Sequence, residues 1–108
     1  MKRIENEQQL EAALASSTAL LYKHSPICGV SSLAIRQVRR FLDEYPEMPA
    51  FMIDVVEQRR LARIVEGRLG IPHKSPQVIF VRDGKAIWSK SHSAIRAKAL
   101  TQQLESSA

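Results

Sequence analysis

Tyr22-Lys23-His24-Ser25-Pro26-Ile27-Cys28-Gly29-Val30-Ser31 joins a short apolar run to an amphipathic one and carries the single cysteine of the chain. Ser25-Pro26 breaks the extended backbone upstream, since proline restricts both itself and the residue before it. A sulfur at such a strand-to-helix junction faces the unpaired N–H groups and the partial positive charge of a helix N-terminus. Whatever chemistry this chain performs is therefore expected at Cys28.

Working outward, Ala19 to Lys23 (ALLYK) is a brief apolar run bounded by turn residues and reads as a buried strand. Before it, Asn6 to Ala15 places Leu10, Ala13 and Leu14 at helical spacing among Glu and Gln, which predicts a short surface helix. After it, Val30, Leu33, Ala34, Val38, Phe41 and Leu42 recur at three-and-four spacing, with Arg36, Arg39, Arg40 and Asp43 opposite, so the longest helix runs from Cys28 and stops before Pro46. Ala50 to Asp54 (AFMID) reads as a second buried strand, and Glu57 to Leu69 as a helix that Gly70 terminates. Gln77 to Arg82 and Lys85 to Lys90 flank Asp83-Gly84, the strongest short-range signal for a hairpin. Ser93 is placed to cap a last helix from Ala94 to Glu105. The order implies an α/β fold: a mixed four-stranded sheet, one parallel crossover, one antiparallel hairpin, helices on both faces and an extra helix at the N-terminus.

At 108 residues the chain reads as a single domain, 1–108, with room for one core. One cysteine and three scattered histidines (His24, His73, His92) form no metal-ligand pattern and allow no internal disulfide, so no metal and no bound cofactor are expected. Met1-Lys2-Arg3 resembles the start of a signal peptide, but Glu5, Glu7 and Glu11 interrupt the stretch where its apolar segment would lie. No run reaches the ~18 apolar residues of a membrane span, and a cytoplasmic protein with no membrane partner is the expectation. The 16 Lys and Arg against 11 Asp and Glu give a formal net charge of +5. These cations are dispersed among acids and lack interleaved aromatics, which argues against nucleic acid as a partner. One asymmetry stands out: from Ala12 to Leu42 there is no acid, while Lys23, Arg36, Arg39 and Arg40 are present.

The pattern resembles the thioredoxin fold over nearly all of the chain after residue 18. Two positions carry that resemblance, a cysteine opening the helix after the first core strand and Ser75-Pro76 immediately before the third strand. The fold implied is a thioredoxin-like three-layer sandwich, in which the proline is cis and lies against the cysteine. Thioredoxins carry Cys-Gly-Pro-Cys, whereas Cys28-Gly29-Val30-Ser31 puts Ser31 in the resolving position. They also bury an aspartate six residues before the first cysteine, where this chain has Tyr22. Lys23-His24-Ser25, Cys28 with Ser31, Ser75-Pro76-Gln77-Val78, Asp83-Gly84-Lys85, Trp88 and Ser91-His92 together resemble the YtxJ family, the monothiol bacilliredoxins.

The resemblance implies one-thiol exchange, with Cys28 as nucleophile and Ser31 beside it, and with Lys23, His24, Ser75 and Pro76 as the substrate-binding set. Its co-substrate would be a low-molecular-weight thiol, bacillithiol in this family, and its partners client proteins carrying mixed disulfides. From the residues themselves, an unperturbed thiol near about 8.5 is only a few per cent ionised at pH 7. A helix N-terminus supplies at most about 2 kcal/mol, enough to bring it to about 7. Two other readings share this sequence: a redox-inactive thioredoxin-like binding module with a structural Cys28, and a thiol-based redox sensor. On the same grounds Lys23 and His24 are expected to be solvated at a strand end, His73 and His92 to sit in loops, and Trp88 to serve packing.

Overall fold

The computed structural model describes residues 1–106. Its elements are strand β1 (Lys2–Arg3), helix α1 (Glu7–Leu14), strand β2 (Thr18–His24), helix α2 (Gly29–Glu44), strand β3 (Ala50–Asp54), helix α3 (Arg59–Leu69), strands β4 (Gln77–Arg82) and β5 (Lys85–Ser91), a 3-10 turn at His92–Ala94, and helix α4 (Ala97–Ser106). The sheet order is β1-β3-β2-β4-β5, with β2 parallel to β3 and antiparallel to β4. It is a thioredoxin-like α/β sandwich of three layers.

Alternation along the strands sorts the core into two halves. Leu21, Ile53, Ile79 and Val81 face one way and meet Leu10 and Leu14 of α1 with Leu61 and Val65 of α3. Leu20, Tyr22, Val78 and Phe80 face the other way and meet Ala34, Val38 and Phe41 of α2 with Leu100 of α4. The central strand β2 is buried from Ala19 to Lys23 and ends directly before the cysteine loop. Asp83 (φ 51°) and Gly84 (φ 77°) both take the left-handed region that a two-residue hairpin turn of this hand needs.

Three features differ from the sequence expectation. The sheet has five strands rather than four, because β1 adds beside β3 with Lys2 opposite Phe51 and Arg3 opposite Met52. Two residues carry no periodicity, and what fixes them is distant: Ile4 N–H donates to the Met52 carbonyl at 2.8 Å, and Arg3 pairs with Asp54 (3.5 Å) and Glu57 (3.0 Å). The last helix starts at Ala97 instead of Ala94. His92 lies in the left-handed region at φ 54°, Ile95 is extended and buried, and the cap comes across the fold, where Ala97 N–H donates to Gln37 Oε1 of α2 at 3.0 Å.

The third difference concerns α2. Its buried line is Ala34, Val38 and Phe41, whereas Val30 (38 % exposed) and Leu33 (62 % exposed) point to solvent. At about 100° per residue Leu33 falls well outside the arc shared by the other three, and Val30 lies in the first turn, at the helix end. Phe41 is fully buried, with ring centroids 6.0 Å from Phe80 and 5.1 Å from Tyr45. Phe41→Ala should therefore cost about 3 to 5 kcal/mol in urea unfolding, while Leu33→Ala should stay within about 0.5 kcal/mol; similar losses for the two would contradict this assignment.

Candidate active site

Cys28 is the N-cap of α2, extended at φ −107°, ψ 122°, and half-buried. Its carbonyl accepts the Ser31 N–H at 3.0 Å, which starts the helix, and its own N–H donates to the Ser25 carbonyl at 3.2 Å. The thiol is held below its ordinary value first by the backbone N–H of Ser31, then by that of Val30, with the Ser31 hydroxyl adding a smaller part and burial opposing. Donors that favour the ionised sulfur make it a nucleophile at lower pH.

Ser31 is fully buried, and its hydroxyl oxygen accepts the Ser25 N–H at 3.2 Å. Because the oxygen is engaged as an acceptor, its proton is free to point at the Cys28 sulfur. The Ser31 carbonyl accepts the Tyr22 phenol at 3.2 Å, and the same phenol oxygen lies 2.9 Å from His24 Nδ1. With one proton on the phenol, donation to Ser31 requires His24 to carry hydrogen on Nδ1 and donate it to Tyr22. Burial pushes the Tyr22 phenol well up, so it stays protonated. His24 is held below its ordinary value chiefly by burial, with Arg39 and Arg3 acting the same way and Asp54 opposing, which keeps the imidazole neutral at pH 7. The position where thioredoxins hold an ionisable acid is thus occupied by a neutral donor.

Lys23 corrects an expectation. It is not solvated but fully buried, because alternation turns it onto the opposite sheet face from Tyr22 and His24. Its Nζ meets His73 Nδ1 at 3.1 Å, and His73 N–H donates to Glu66 Oε2 at 2.6 Å. Burial pulls the amine down to about 8, with Glu66 working against it. Desolvation, followed by the Lys23 charge, lowers His73. Lys23 is thus directed at the loop that precedes Ser75-Pro76, and its hydrogen bond goes to His73. The spacing of two along β2 carried this signal, and the exposed-end rule for lysine obscured it.

The Ser75–Pro76 bond is cis and Pro76 is buried. Pro76 accepts the His92 N–H on its carbonyl at 3.0 Å. Gln77 braces the loop from within, its Nε2 donating to the Pro72 carbonyl at 3.2 Å and its Oε1 accepting Lys74 N–H at 3.4 Å. The Ser75 hydroxyl is enclosed and has no hydrogen-bond partner among the described residues. Gln77 and Ser25 entered the sequence reading only within motifs and at strand boundaries, without these bracing roles; an internal polar residue at a strand start was the available signal for the first, and nothing local marked the second. Trp88 packs on Phe80 at 5.4 Å with Lys90 Nζ 5.9 Å from its ring.

A family profile for the monothiol bacilliredoxin BrxC matches residues 2–100. The chain belongs to the monothiol bacilliredoxin family. Among solved structures, this bacilliredoxin is similar to a proposed oxidoreductase with a thioredoxin fold, at 25% identity and a TM-score of 0.87, covering 94% of this chain and 90% of that one. Thioredoxin from Plasmodium falciparum in its oxidised form matches at 14% identity and 0.78, covering 100% and 98%. Mitochondrial thioredoxin 3 from Saccharomyces cerevisiae matches at 15% identity and 0.79, covering 98% and 94%. The last two similarities speak to the fold alone. Among the bacilliredoxin's described residues, no group of three or more His, Cys, Asp or Glu is placed to hold a metal ion, and no helix is long and apolar enough to cross a membrane.

Iodoacetamide reacts with thiolate, so its rate against pH should rise to a plateau with a midpoint below the value of a free cysteine; Ser31→Ala should move that midpoint upward. An unshifted wild-type midpoint would remove the activating role of the helix start. For Lys23 the sign follows from linkage. The folded protein holds this amine at about 8 against 10.5 unfolded, so it binds fewer protons than the unfolded chain between those values and stability rises with pH across them. The unfolding free energy of wild type relative to Lys23→Met, from urea titrations, should therefore climb from pH 8 to pH 10.5, by on the order of 3 kcal/mol in all; a flat difference would contradict the burial of a charged Lys23.

Proposed function

We propose that Cys28 removes a low-molecular-weight thiol from mixed disulfides on client proteins. The Cys28 thiolate attacks the sulfur of the small thiol, forming a disulfide with it and breaking its bond to the client. The client sulfur leaves as a thiolate and takes a proton from water. A second small-thiol anion then attacks the modified Cys28, forming a symmetric small-molecule disulfide and restoring the thiolate. Net, one free small thiol is consumed for each client released, its sulfur oxidised as the client sulfur is reduced, so the electrons balance.

The observation that carries this reading is a half-buried thiol activated by the N–H groups of Ser31 and Val30 in a chain with no second cysteine. Family membership supports bacillithiol as the small thiol. Ser31 stands where a resolving cysteine would otherwise be, which leaves resolution to a second molecule. The backbone at Ser75, next to cis Pro76 and ahead of β4, supports docking of the client segment as an added strand. Lys23 contributes from the other sheet face by holding His73 and the loop. A reducing compartment such as the cytoplasm suits a lone thiol. The lowered thiol favours turnover over a structural cysteine, and a sensor would share the thiol without releasing a repaired client.

The test uses a client cysteine blocked with bacillithiol and follows the return of its free thiol. Wild type should release it catalytically when bacillithiol is supplied. Cys28→Ser should abolish release while leaving circular dichroism and the thermal midpoint unchanged. Release that persists in Cys28→Ser would overturn the proposal.

A further inference from the structure

Helix α2 carries an outward ridge that neither the core nor the chemistry at Cys28 uses. Ile27 (84 % exposed), Val30 and Leu33 form an apolar step around the cysteine. Beyond them, Arg36 and Arg40 continue the ridge at three-and-four spacing from Leu33, and both are exposed. Three arginines elsewhere in the fold, Arg3, Arg60 and Arg68, each pair with a carboxylate. Among the described residues no salt bridge involves Arg36 or Arg40, and no acid occurs in the chain from Ala12 to Leu42. The sign reverses only at Asp43 and Glu44, where the helix ends.

We propose that this ridge is a docking surface that selects client segments bearing an apolar side chain beside the modified cysteine and acidic residues further along. The proposal rests on the exchange reading above and names its substrate class. Two arguments identify the occupant as a polypeptide. At 1.5 Å of rise per residue, Arg36 and Arg40 lie about 10 and 16 Å along the axis from Gly29. A small thiol bonded to Cys28 does not span to Arg40, whereas four to six extended residues do. The exposed Leu33 between sulfur and arginines suits a side chain rather than a hydrophilic small molecule, and two unpaired guanidiniums complement carboxylates. Asp43 and Glu44 repel the same acidic segment beyond Arg40, which limits its length.

The experiment uses three synthetic peptides that share one cysteine blocked with the same small thiol and one adjacent leucine, differing in acidic, neutral or basic flanks. Wild type should release the thiol from the acidic peptide roughly tenfold faster than from the basic one at low ionic strength, with the gap closing at about 0.5 M salt. Arg36→Glu with Arg40→Glu should reverse the order, and Arg36→Gln with Arg40→Gln should level it. Neither should change the rate at which a neutral symmetric disulfide transfers one of its thiols to Cys28 and releases the other as a thiolate. Equal wild-type rates for acidic and basic peptides, or a preference that survives charge reversal, would overturn the surface. Release from no peptide would overturn the exchange reading instead. In that event binding decides the surface alone: fluorescent peptides should bind Cys28→Ser protein in the order acidic, neutral, basic, and equal anisotropy midpoints would overturn it.

Discussion

Ser31 ties the central strand to the helix that presents the sulfur. Its hydroxyl takes the Ser25 amide and its carbonyl takes the Tyr22 phenol, so one residue closes the turn from both ends. With that turn fixed, the N–H groups of Val30 and Ser31 converge on Cys28 without needing a charged neighbour. A dithiol protein uses this position for its second sulfur; here it serves to orient the first. In the proposed exchange, serine at the resolving position leaves the activation of Cys28 intact and moves only the resolving step to another molecule.

The rest of the site follows from the period of two along β2. Tyr22 and His24 reach the α2 side and support Ser31, while Lys23 turns to the α3 side and reaches His73. One strand thus braces both the cysteine turn and the loop entering Ser75-Pro76. The Tyr22 phenol stays neutral beneath the cysteine turn, while the Lys23 amine, held at about 8 on the opposite sheet face, still carries its proton at pH 7; the positive potential beside Cys28 comes from the helix N-terminus and the surface arginines.

Much of this was legible from the chain. The hairpin at Asp83-Gly84, the Gly70 stop and the two buried strands ALLYK and AFMID carry local signals strong enough to place the sheet, and Cys28 with Ser75-Pro76 pointed to the candidate site. What escaped was fixed by distant partners. Strand β1 depends on Met52, Asp54 and Glu57, roughly fifty residues away, and α4 starts where Gln37 of another helix caps it. Leu33 lies off the buried arc of α2 once the rotation of about 100° per residue is followed, and Val30, close to that arc, sits in the first turn where the helix end leaves it half out of the core. Lys23 was misplaced by a rule about residue type that the strand's own alternation contradicts.

The central claim is that Cys28 receives the small thiol and frees the client. It is tested most directly by the intact mass of the protein after brief mixing with a client blocked by bacillithiol, without added thiol. The account predicts an adduct equal to one bacillithiol, lost on reduction and absent in Cys28→Ser. An adduct with the mass of the client, or an unmodified protein beside an unblocked client, would contradict it.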